Sequence, residues 1–285
     1  MSELKHCLQK LQNSGEKALG IFVTSGFPTI AATGPILEAI DAGGADFIEL
    51  GMPFSDPLAE GKTIQMSSAV ALDSGVTMDY TFEKARIFKE KSDTPILLMG
   101  YVNPILQYGL SNFFSSCQSS RVSAVILPDL PHKTRLSIRQ KALDHGIDIV
   151  YLVAPTTSND RLTAIDELSE GFVYAVSMTG LTGTSMPDKT VVMNYLKRVR
   201  SHVRRNPVLV GFGISSADDI KTLTENIDGC IVGSALIRLL EDVWQSETLS
   251  ESDRMNRVTD FVRELKTGTG PVRKAGSARP VASSQ

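Results

Sequence analysis

The sequence DFIELGMPFSDPLAEGKTIQ occupies residues 46–65. Its first six residues predict a short buried strand, because they are mostly apolar or β-branched and the run ends at Gly51. Glu49 interrupts this run, and a carboxylate in an apolar strand is costly unless it is paired or functional. The loop that follows is stiffened by two prolines and carries Asp56 and Glu60. Two interpretations stay open on this stretch alone: an acid–base site, or a salt-bridged strand-end glutamate beside a solvated loop.

A strand followed by a helix is a pattern that repeats along the chain. Apolar strand runs are predicted at 18–24, 46–51, 95–101, 124–127, 147–153, 172–177, 207–212 and 228–232. Helical spacing predicts helices at 2–13, 29–42 (with Thr29 as candidate N-cap), 63–72, 80–91, 111–119, 133–145, 160–168, 189–204, 216–224, 237–244 and 254–265. This alternation predicts an α/β fold, a single (β/α)8 TIM barrel with an extra N-terminal helix. An open doubly wound sheet stays an alternative, although such sheets more often have fewer strands and a glycine fingerprint after the first strand.

The predicted barrel domain spans residues 1–265, and a tail follows at 266–285. The tail sequence, KTGTGPVRKAGSARPVASSQ, is rich in Gly, Pro, Ser and basic residues and has almost no large apolar side chain. Such a segment cannot bury enough apolar surface to offset the entropy of ordering it, so we expect it to be disordered.

The composition is that of an ordinary globular protein, with 42% hydrophobic and 21% charged residues in a chain of 285. A formal net charge of −3 weakens a nucleic-acid-binding function, which would need a concentrated basic face. The three cysteines are widely spaced and the four histidines fall on or next to predicted helices, which argues against a disulfide framework, a metal site and a Ser-His-Asp hydrolase. No run approaches 18 apolar residues, so we expect a cytoplasmic protein that does not enter a membrane.

Several candidate site residues share one rim of the predicted barrel. Active sites of (β/α)8 barrels form at the carboxyl ends of the strands, where Glu49 and the loop bearing Glu60 belong. Glycine clusters at 181–183, 211–216 and 233–234 follow the last three strands. Small residues let backbone N–H groups approach an anion, and helix N-termini add positive potential. The clusters predict a site for a phosphorylated small molecule, with ordinary turn glycines as the alternative.

Four motifs resemble those of the tryptophan synthase alpha chain: IELGMPFSDPLAEGKTIQ, GLTGT, GFGISS and IVGSALI, in that order on eight βα units. The resemblance covers about residues 1–265. It implies a TIM-barrel lyase that cleaves indole-3-glycerol phosphate to indole and glyceraldehyde 3-phosphate by a retro-aldol reaction in L-tryptophan biosynthesis. It also implies an αββα heterotetramer with a beta chain that carries pyridoxal phosphate, while this chain needs no cofactor of its own.

The resemblance also implies roles for individual residues. Glu49 matches the general acid–base glutamate of the family, and Tyr174 matches a tyrosine near the glycerol portion of the substrate. Glu60 stands where the family has the carboxylate that binds the indole N–H. The implied substrate-binding positions are Phe22, Ile64, Tyr101, Leu127, Thr182 (on a loop that closes over the site in the family), Gly183, Phe212, Gly213, Gly233 and Ser234. The positions expected to face the beta chain are Pro53, Asp56 and Pro57.

Two residues depart from the family pattern. Glu60 is one methylene longer than the family's aspartate, and catalytic contacts are sensitive to displacements of about 1 Å. Lys62 stands where a neutral residue, often proline, is expected, and it either pairs with Glu60 or points to solvent. These departures keep a second function open, a weakly or non-catalytic regulatory subunit that activates a beta chain. A third is a related phosphate-binding barrel with another indole or sugar-phosphate substrate.

Overall fold

The protein folds as a TIM barrel, with eight parallel strands surrounded by helices. The computed structural model describes residues 1–57, 60–130, 135–176, 189–211 and 213–270. The strands are β1 (Ala18–Thr24), β2 (Phe47–Gly51), β3 (Ile96–Met99), β4 (Val122–Ile126), β5 (Asp148–Val153), β6 (Val173–Val176), β7 (Val208–Gly211) and β8 (Gly229–Val232). Neighbouring strands pair in chain order, and β8 pairs with β1 to close the barrel. The predicted fold class is confirmed.

The strands are nearly continuous apolar runs because both of their faces are covered. Every residue of β1, β2 and β4 is buried. In a parallel barrel the inner side chains fill the interior and the outer ones pack beneath the helices, so neither face meets water. The polar side chain of Glu49 therefore lies in one of the driest parts of the protein.

The helices in the described ranges alternate with these strands. They are α1 (Glu3–Ser14), α2 (Thr33–Ala42), α3 (Lys62–Asp73), α4 (Met78–Lys89), α5 (Val102–Tyr108), α6 (Leu110–Ser119), α7 (Arg135–Asp144), α8 (Asn159–Leu168), α9 (Lys189–His202), α10 (Ala217–Leu223), α11 (Ser234–Gln245) and α12 (Glu251–Lys266). Each predicted helix is present, with ends displaced by a few residues. Within those ranges, no helix combines the length and the apolar content needed to cross a membrane.

Two local predictions about helices are wrong. The short helix α5 was not predicted, and its first N–H, that of Val102, donates to the Asp129 carboxylate at 3.0 Å, a partner 27 residues away that local sequence cannot supply. Pro104 is tolerated there because it lies in the first turn. The side chain of Thr29 does not cap a helix, since residues 30–32 form a 3₁₀ turn and α2 begins at Thr33.

Helix α1 lies across the amino ends of the strands, opposite the rim predicted to be functional. The side chain of Ser2 donates a hydrogen bond to Asp148, the first residue of β5. Lys5 pairs with the same aspartate at 3.2 Å, and the Cys7 thiol donates to the backbone carbonyl of Asp46 at 3.3 Å. The apolar side of α1 is buried beneath these polar contacts and consists of Leu4, Leu8 and Leu11.

The packed chain continues beyond the predicted end of the domain at residue 265. Lys266, the last residue of α12, forms an ion pair with Asp46 at 2.6 Å. Thr269 is buried, and its carbonyl accepts a hydrogen bond from the Lys17 N–H at 2.9 Å. The first residues of the predicted tail therefore contact the barrel, through long-range contacts that composition does not reveal. Residues 271–285, on which the prediction of disorder falls, lie outside the described residues.

Glycines in the strands leave room for the aromatic side chains that shape the upper barrel. Phe22 in β1 is in register with Glu49 in β2. A Cβ atom on Gly51 would lie 2.7 Å from the end of the Phe22 ring, so only glycine accommodates the ring there. The sequence of small and large residues thus places an aromatic ring beside the carboxylate.

Candidate active site

Glu49 is a fully buried carboxyl group without a polar partner. It is 0% exposed, and neither of its carboxylate oxygens has a hydrogen-bond partner among the residues that the structure describes. Burial raises the pKa of Glu49 from 4.5 to about 8, and the negative charge of Glu60 contributes to the same shift. At neutral pH the group is therefore mostly protonated, yet close enough to its pKa to give up and take back a proton. The salt-bridged alternative for Glu49 is not what the structure shows.

Glu60 faces the same interior from the residue before the N-cap of α3, Gly61. Its N–H donates to the Pro57 carbonyl at 3.2 Å, and its own carbonyl accepts from Gln65 Nε2 at 2.9 Å, so the backbone is held. Its Oε2 is buried without a hydrogen-bond partner in the described part of the chain. Burial raises the pKa of Glu60 to about 7. Two coupled carboxyl groups with raised pKa values thus share one apolar space.

Lys62 does not neutralise Glu60. It is exposed at the first position of α3. Across the described residues no ion pair joins it to Glu60 or to another acid. The sequence left two alternatives open for Lys62, pairing with Glu60 or pointing to solvent. Pairing with Glu60 is therefore wrong, and the exposed side chain agrees with the second alternative.

Tyr174 in β6 completes this group from across the barrel. Its pKa is raised well above the usual value, chiefly by burial and then by the nearby charge of Glu49. Its ring covers Gly211 at the end of β7, where a Cβ atom would lie 2.3 Å from the phenol oxygen. The position of the phenol therefore depends on glycine at 211. We call Glu49, Glu60 and Tyr174 the carboxylate end of the site.

A cavity of about 390 Å³ joins these residues to two of the predicted glycine clusters. Its described lining consists of Phe22, Glu49, Glu60, Gly61, Lys62, Thr63, Ile64, Met99, Leu152, Tyr174, Val176, Gly211, Gly213, Ile214, Ile231, Gly233, Ser234 and Arg238. Eight of the residues predicted for catalysis or substrate binding are in this set. The apolar members suit a flat aromatic ring. The polar members include Glu49, Glu60 and Tyr174 and, on helix α11, Ser234 and Arg238.

The glycine end of the site, defined as Gly213, Gly233, Ser234 and Arg238, is built around the start of α11. Helix α11 has Gly233 as its N-cap and receives no side-chain cap, so its first N–H groups are available to a ligand. The start of α10 is different, because Ser216 caps it and acidic residues occupy its first turn. An anion is therefore favoured at α11, where the helix dipole and uncapped donors act together.

Some predicted site residues lie elsewhere. Within the described residues, Tyr101 and Leu127 are not among those that line this cavity, and their place in the substrate site stays a prediction. Strand β3 ends at Met99, so Tyr101 belongs to the turn before α5, where its ring packs against Phe54 at 5.0 Å. Leu127 follows the end of β4 and is buried in a turn closed by the N–H of Leu130.

A second cavity of about 320 Å³ adjoins Tyr101 and is also lined by Met52 and Pro53. Asp56 is exposed and accepts a hydrogen bond from the Ser55 hydroxyl at 2.6 Å, whereas Pro57 is buried. The remaining predicted positions, Thr182, Gly183 and Phe212, lie outside the described residues.

Sequence reasoning missed several lining residues. Met99 and Val176 are the last residues of β3 and β6, and Leu152 is the last but one of β5. Their position at strand ends is the signal that could have identified them, since that edge carries the site in this fold. Arg238 lies four residues after Ser234 on α11, a spacing that puts both on one helix face. Among the described residues, no cluster of three or more His, Cys, Asp or Glu side chains is placed to hold a metal ion.

Comparison with known proteins identifies the family. A family model described as "Tryptophan synthase alpha chain" matches residues 8–269. The chain belongs to the tryptophan synthase alpha chain family. The alpha chain of Petrotoga mobilis is 43% identical over 250 residues, which cover 88% of this chain and 95% of that one. The alpha chain of Flavobacterium psychrophilum is 40% identical over 235 residues, covering 82% and 92%.

Solved structures of this family have the same fold. The crystal structure of the tryptophan synthase alpha subunit from Legionella pneumophila matches with a TM-score of 0.86 at 30% identity, covering 94% of this chain and 98% of that one. The tryptophan synthase alpha chain family cleaves indole-3-glycerol phosphate in tryptophan biosynthesis. The chain is accordingly a carbon–carbon lyase of that pathway, and the alpha chain itself needs no cofactor.

Proposed function

We propose that the cavity binds indole-3-glycerol phosphate and that Glu49 carries the proton in its retro-aldol cleavage to indole and glyceraldehyde 3-phosphate. The observation that carries this proposal is the buried, unpartnered carboxyl group of Glu49 with a pKa of about 8. General acid–base groups work best when their pKa lies near the operating pH. Raised carboxyl pKa values are also a common mark of catalytic sites.

Glu49 serves two steps of the reaction. Its protonated form donates to C3 of the indole ring, which makes the ring an electron sink. The carboxylate then takes the proton of the adjacent glycerol hydroxyl as the C–C bond breaks. The electrons of that bond restore the aromatic ring, the hydroxyl carbon becomes the aldehyde, and the proton is back on Glu49. No proton is consumed, so one group near its pKa is sufficient.

Glu60 accepts the hydrogen bond of the indole N–H in this proposal. Protonation at C3 leaves positive charge on the ring nitrogen, and a carboxylate beside it stabilises that charge in a dry cavity. The Oε2 atom without a hydrogen-bond partner and the exposed Lys62, which forms no ion pair with Glu60 across the described residues, support this role. Tyr174 lies beside Glu49 and is proposed to contact the glycerol portion.

The glycine end binds the phosphate in this proposal. The uncapped start of α11, with Gly233 and Ser234, offers backbone N–H groups and one hydroxyl. Gly213 has a φ of +60°, a conformation that L-residues with side chains rarely adopt. Phe22 and Ile64 line the cavity between the two ends and are proposed to hold the indole ring. Thr182, Gly183 and Phe212 are proposed to complete the site, with the loop of Thr182 closing over it.

The alpha chain is proposed to work with a beta chain that carries pyridoxal phosphate, in an αββα heterotetramer in the cytoplasm. Family membership supports the partner, and the three free cysteines suit a reducing compartment. The loop of Pro53, Asp56 and Pro57 leaves the barrel beside Glu49 and is proposed as part of the contact. Because Glu60 belongs to the same connection between β2 and α3, a movement of this loop on beta-chain binding would shift the Glu60 side chain. The partner would then affect the active site.

The test is indole formation from indole-3-glycerol phosphate by the purified alpha chain, with and without a tryptophan synthase beta chain. We expect indole in both assays and a higher rate with the beta chain. If the alpha chain accelerates the conversion of indole to tryptophan by the beta chain but releases no indole, the regulatory alternative is correct and the catalytic proposal is wrong.

A further inference from the structure

Arg238 lies in the cavity lining, and no acid among the residues that the structure describes forms an ion pair with it. We propose that Arg238 is a specificity-determining residue that binds the phosphate of the substrate directly through its guanidinium group. This inference rests on the proposed function, which places a phosphorylated substrate in the cavity. It adds a side-chain cation to a subsite otherwise made of backbone N–H groups and the Ser234 hydroxyl.

The position of Arg238 on α11 is the first argument. It lies four residues after Ser234, so the two side chains share a helix face about 6 Å apart along the axis. Both line the same cavity. A helix side chain leans towards the N-terminus of its helix, which directs the guanidinium towards the uncapped donors at Gly233.

The second argument is the lack of an internal partner. Arg238 is exposed, and the described residues provide it with no hydrogen bond or ion pair. Glu241 and Asp242 follow it on α11, yet neither approaches within ion-pair distance in the described structure. Two other arginines of the barrel, by contrast, have partners within the chain: Arg139 pairs with Glu170 at 2.7 Å, and Arg198 donates to the Thr157 carbonyl at 2.8 Å. A guanidinium left unengaged at an anion-binding cavity is suited to an exogenous anion.

The third argument separates Arg238 from Lys62, the other cation in the lining. Lys62 begins α3 and stands two residues after Glu60, whose carboxylate would repel a phosphate. Helix α11 has no acidic residue in its first turn. Of the two cations in the lining, Lys62 lies near the carboxylate of Glu60. Arg238 lies on the helix whose first N–H groups are uncapped and whose first turn has no acidic residue.

The kinetic consequence follows from the chemistry. The phosphate keeps its charge while the C–C bond breaks, so a contact to it stabilises the ground state and the transition state equally. Loss of the contact raises KM and leaves kcat nearly unchanged. Because Arg238 is exposed, salt screens part of its attraction, and we expect an increase in KM of about 5- to 20-fold at low ionic strength.

The experiment compares lyase kinetics of the full-length alpha chain with its beta chain for wild type, Arg238→Gln and Arg238→Lys. Competitive inhibition by inorganic phosphate is measured in parallel. We expect Arg238→Gln to raise KM by about 5- to 20-fold, to change kcat by less than about twofold, and to weaken phosphate inhibition by a similar factor. Arg238→Lys should recover part of both losses, and added salt should affect the Gln variant less than wild type. Arg257→Gln, an exposed arginine on α12 outside the cavity, is the matched control.

Lys62→Gln tests the rival possibility that Lys62, rather than Arg238, binds the phosphate. An unchanged KM and unchanged phosphate inhibition in Arg238→Gln would overturn the proposal, and so would equal losses of phosphate inhibition in Lys62→Gln and Arg238→Gln. A fall in kcat without a change in KM in Arg238→Gln would also contradict it. If the wild-type protein releases no indole at all, the proposed function fails, and direct titration of wild type and Arg238→Gln with inorganic phosphate still decides whether Arg238 binds an anion.

Discussion

The two ends of the cavity differ in charge and in how their polar groups are satisfied. At the carboxylate end, Glu49 is buried and Glu60 is partly buried. Both carry oxygens without polar partners in the described structure, and their pKa values are raised to about 8 and about 7. At the glycine end, backbone N–H groups and an exposed arginine provide fixed positive potential at little desolvation cost. The carboxyl groups are suited to proton transfer because they have no hydrogen-bond partner that fixes their protonation state. The N–H groups and the arginine are suited to binding because their charge stays the same throughout the reaction.

This difference separates catalysis from affinity. A group that gains or loses a proton in the transition state acts on kcat, whereas a group that holds a spectator phosphate acts on KM. It also separates function from stability, because an ionisable group buried without a partner opposes folding. Removing a carboxyl group at the carboxylate end should therefore lower kcat and stabilise the protein. Removing the arginine at the glycine end should raise KM and leave both kcat and the stability nearly unchanged.

The largest effect is expected for Glu49→Gln. The amide keeps the shape of the side chain but can neither donate nor accept the catalytic proton, so indole release should fall by about 10²- to 10⁴-fold. Steady-state kcat for indole-3-glycerol phosphate measures it. Activation of the beta chain by the variant serves as the control for correct folding. A variant that retained more than about a tenth of the wild-type kcat would remove Glu49 from the proton transfer.

The same variant should show a pH-dependent gain in stability. The folded-state pKa of Glu49 is raised from 4.5 to about 8, so the folded protein binds this proton more tightly than the unfolded chain does. The resulting contribution to stability is complete below the unfolded pKa of 4.5 and is lost as the pH rises to about 8. Between about pH 5 and pH 9, the free energy of unfolding of Glu49→Gln should rise relative to wild type by at most about 5 kcal/mol.

Urea unfolding of both proteins at the two pH values measures this gain. Asp56→Asn, which changes an exposed carboxylate on the loop that follows β2, is the matched control and should show no such trend. A difference between Glu49→Gln and wild type that stays constant with pH would mean that Glu49 ionises in the folded protein much as it does in water.

A smaller effect is expected for Glu60→Gln. Loss of a charge-assisted hydrogen bond to the indole N–H should lower kcat/KM by about 10- to 100-fold. Because the charge of Glu60 contributes to the raised pKa of Glu49, the variant should also move the alkaline limb of the pH profile downward. Glu60→Asp, which keeps the charge and shortens the side chain by one methylene, should keep most of the activity. Equal losses in both variants would show that the site requires the length of the Glu60 side chain as well as its charge.

The difference between the two ends also explains what could be predicted from the sequence. The barrel follows from a repeated local pattern of apolar strands and amphipathic helices, which needs no long-range information. Glu49 was visible because an acid in an apolar strand is exceptional. Arg238 was not, because an exposed arginine on a helix is ordinary, and only the cavity distinguishes it from Arg257.

The errors share one physical origin, which is dependence on distant partners. Helix α5 begins with a hydrogen bond from Val102 to Asp129, and the last residue of α12, Lys266, forms an ion pair with Asp46. Neither partner is near in sequence. Strand β3 was predicted to reach residue 101 and ends at Met99, because the end of a strand depends on its neighbours in the sheet as much as on its own side chains.

The smallest expected effect concerns the wall between the two ends, where Tyr174 covers Gly211. A Cβ atom at 211 would lie 2.3 Å from the phenol oxygen, and the buried ring has little room to move. Gly211→Ala should therefore cost about 1–3 kcal/mol of stability and displace the phenol from Glu49. Gly34→Ala in α2, where nothing lies within 4 Å of the added carbon, should instead stabilise the protein by about 0.5 kcal/mol.

Urea unfolding and kcat/KM are measured for Gly211→Ala and Gly34→Ala. The comparison tests whether a displacement at the carboxylate end also alters the glycine end. If Gly211→Ala lowers kcat while phosphate inhibition stays as in wild type, the wall positions the carboxylate end alone. If phosphate inhibition weakens as well, the strain passes along β7 towards Gly213, and the two ends are coupled through the backbone that joins them. Equal behaviour of the two alanine variants would show that the ring adapts to the methyl group and that Tyr174 is not held by this contact.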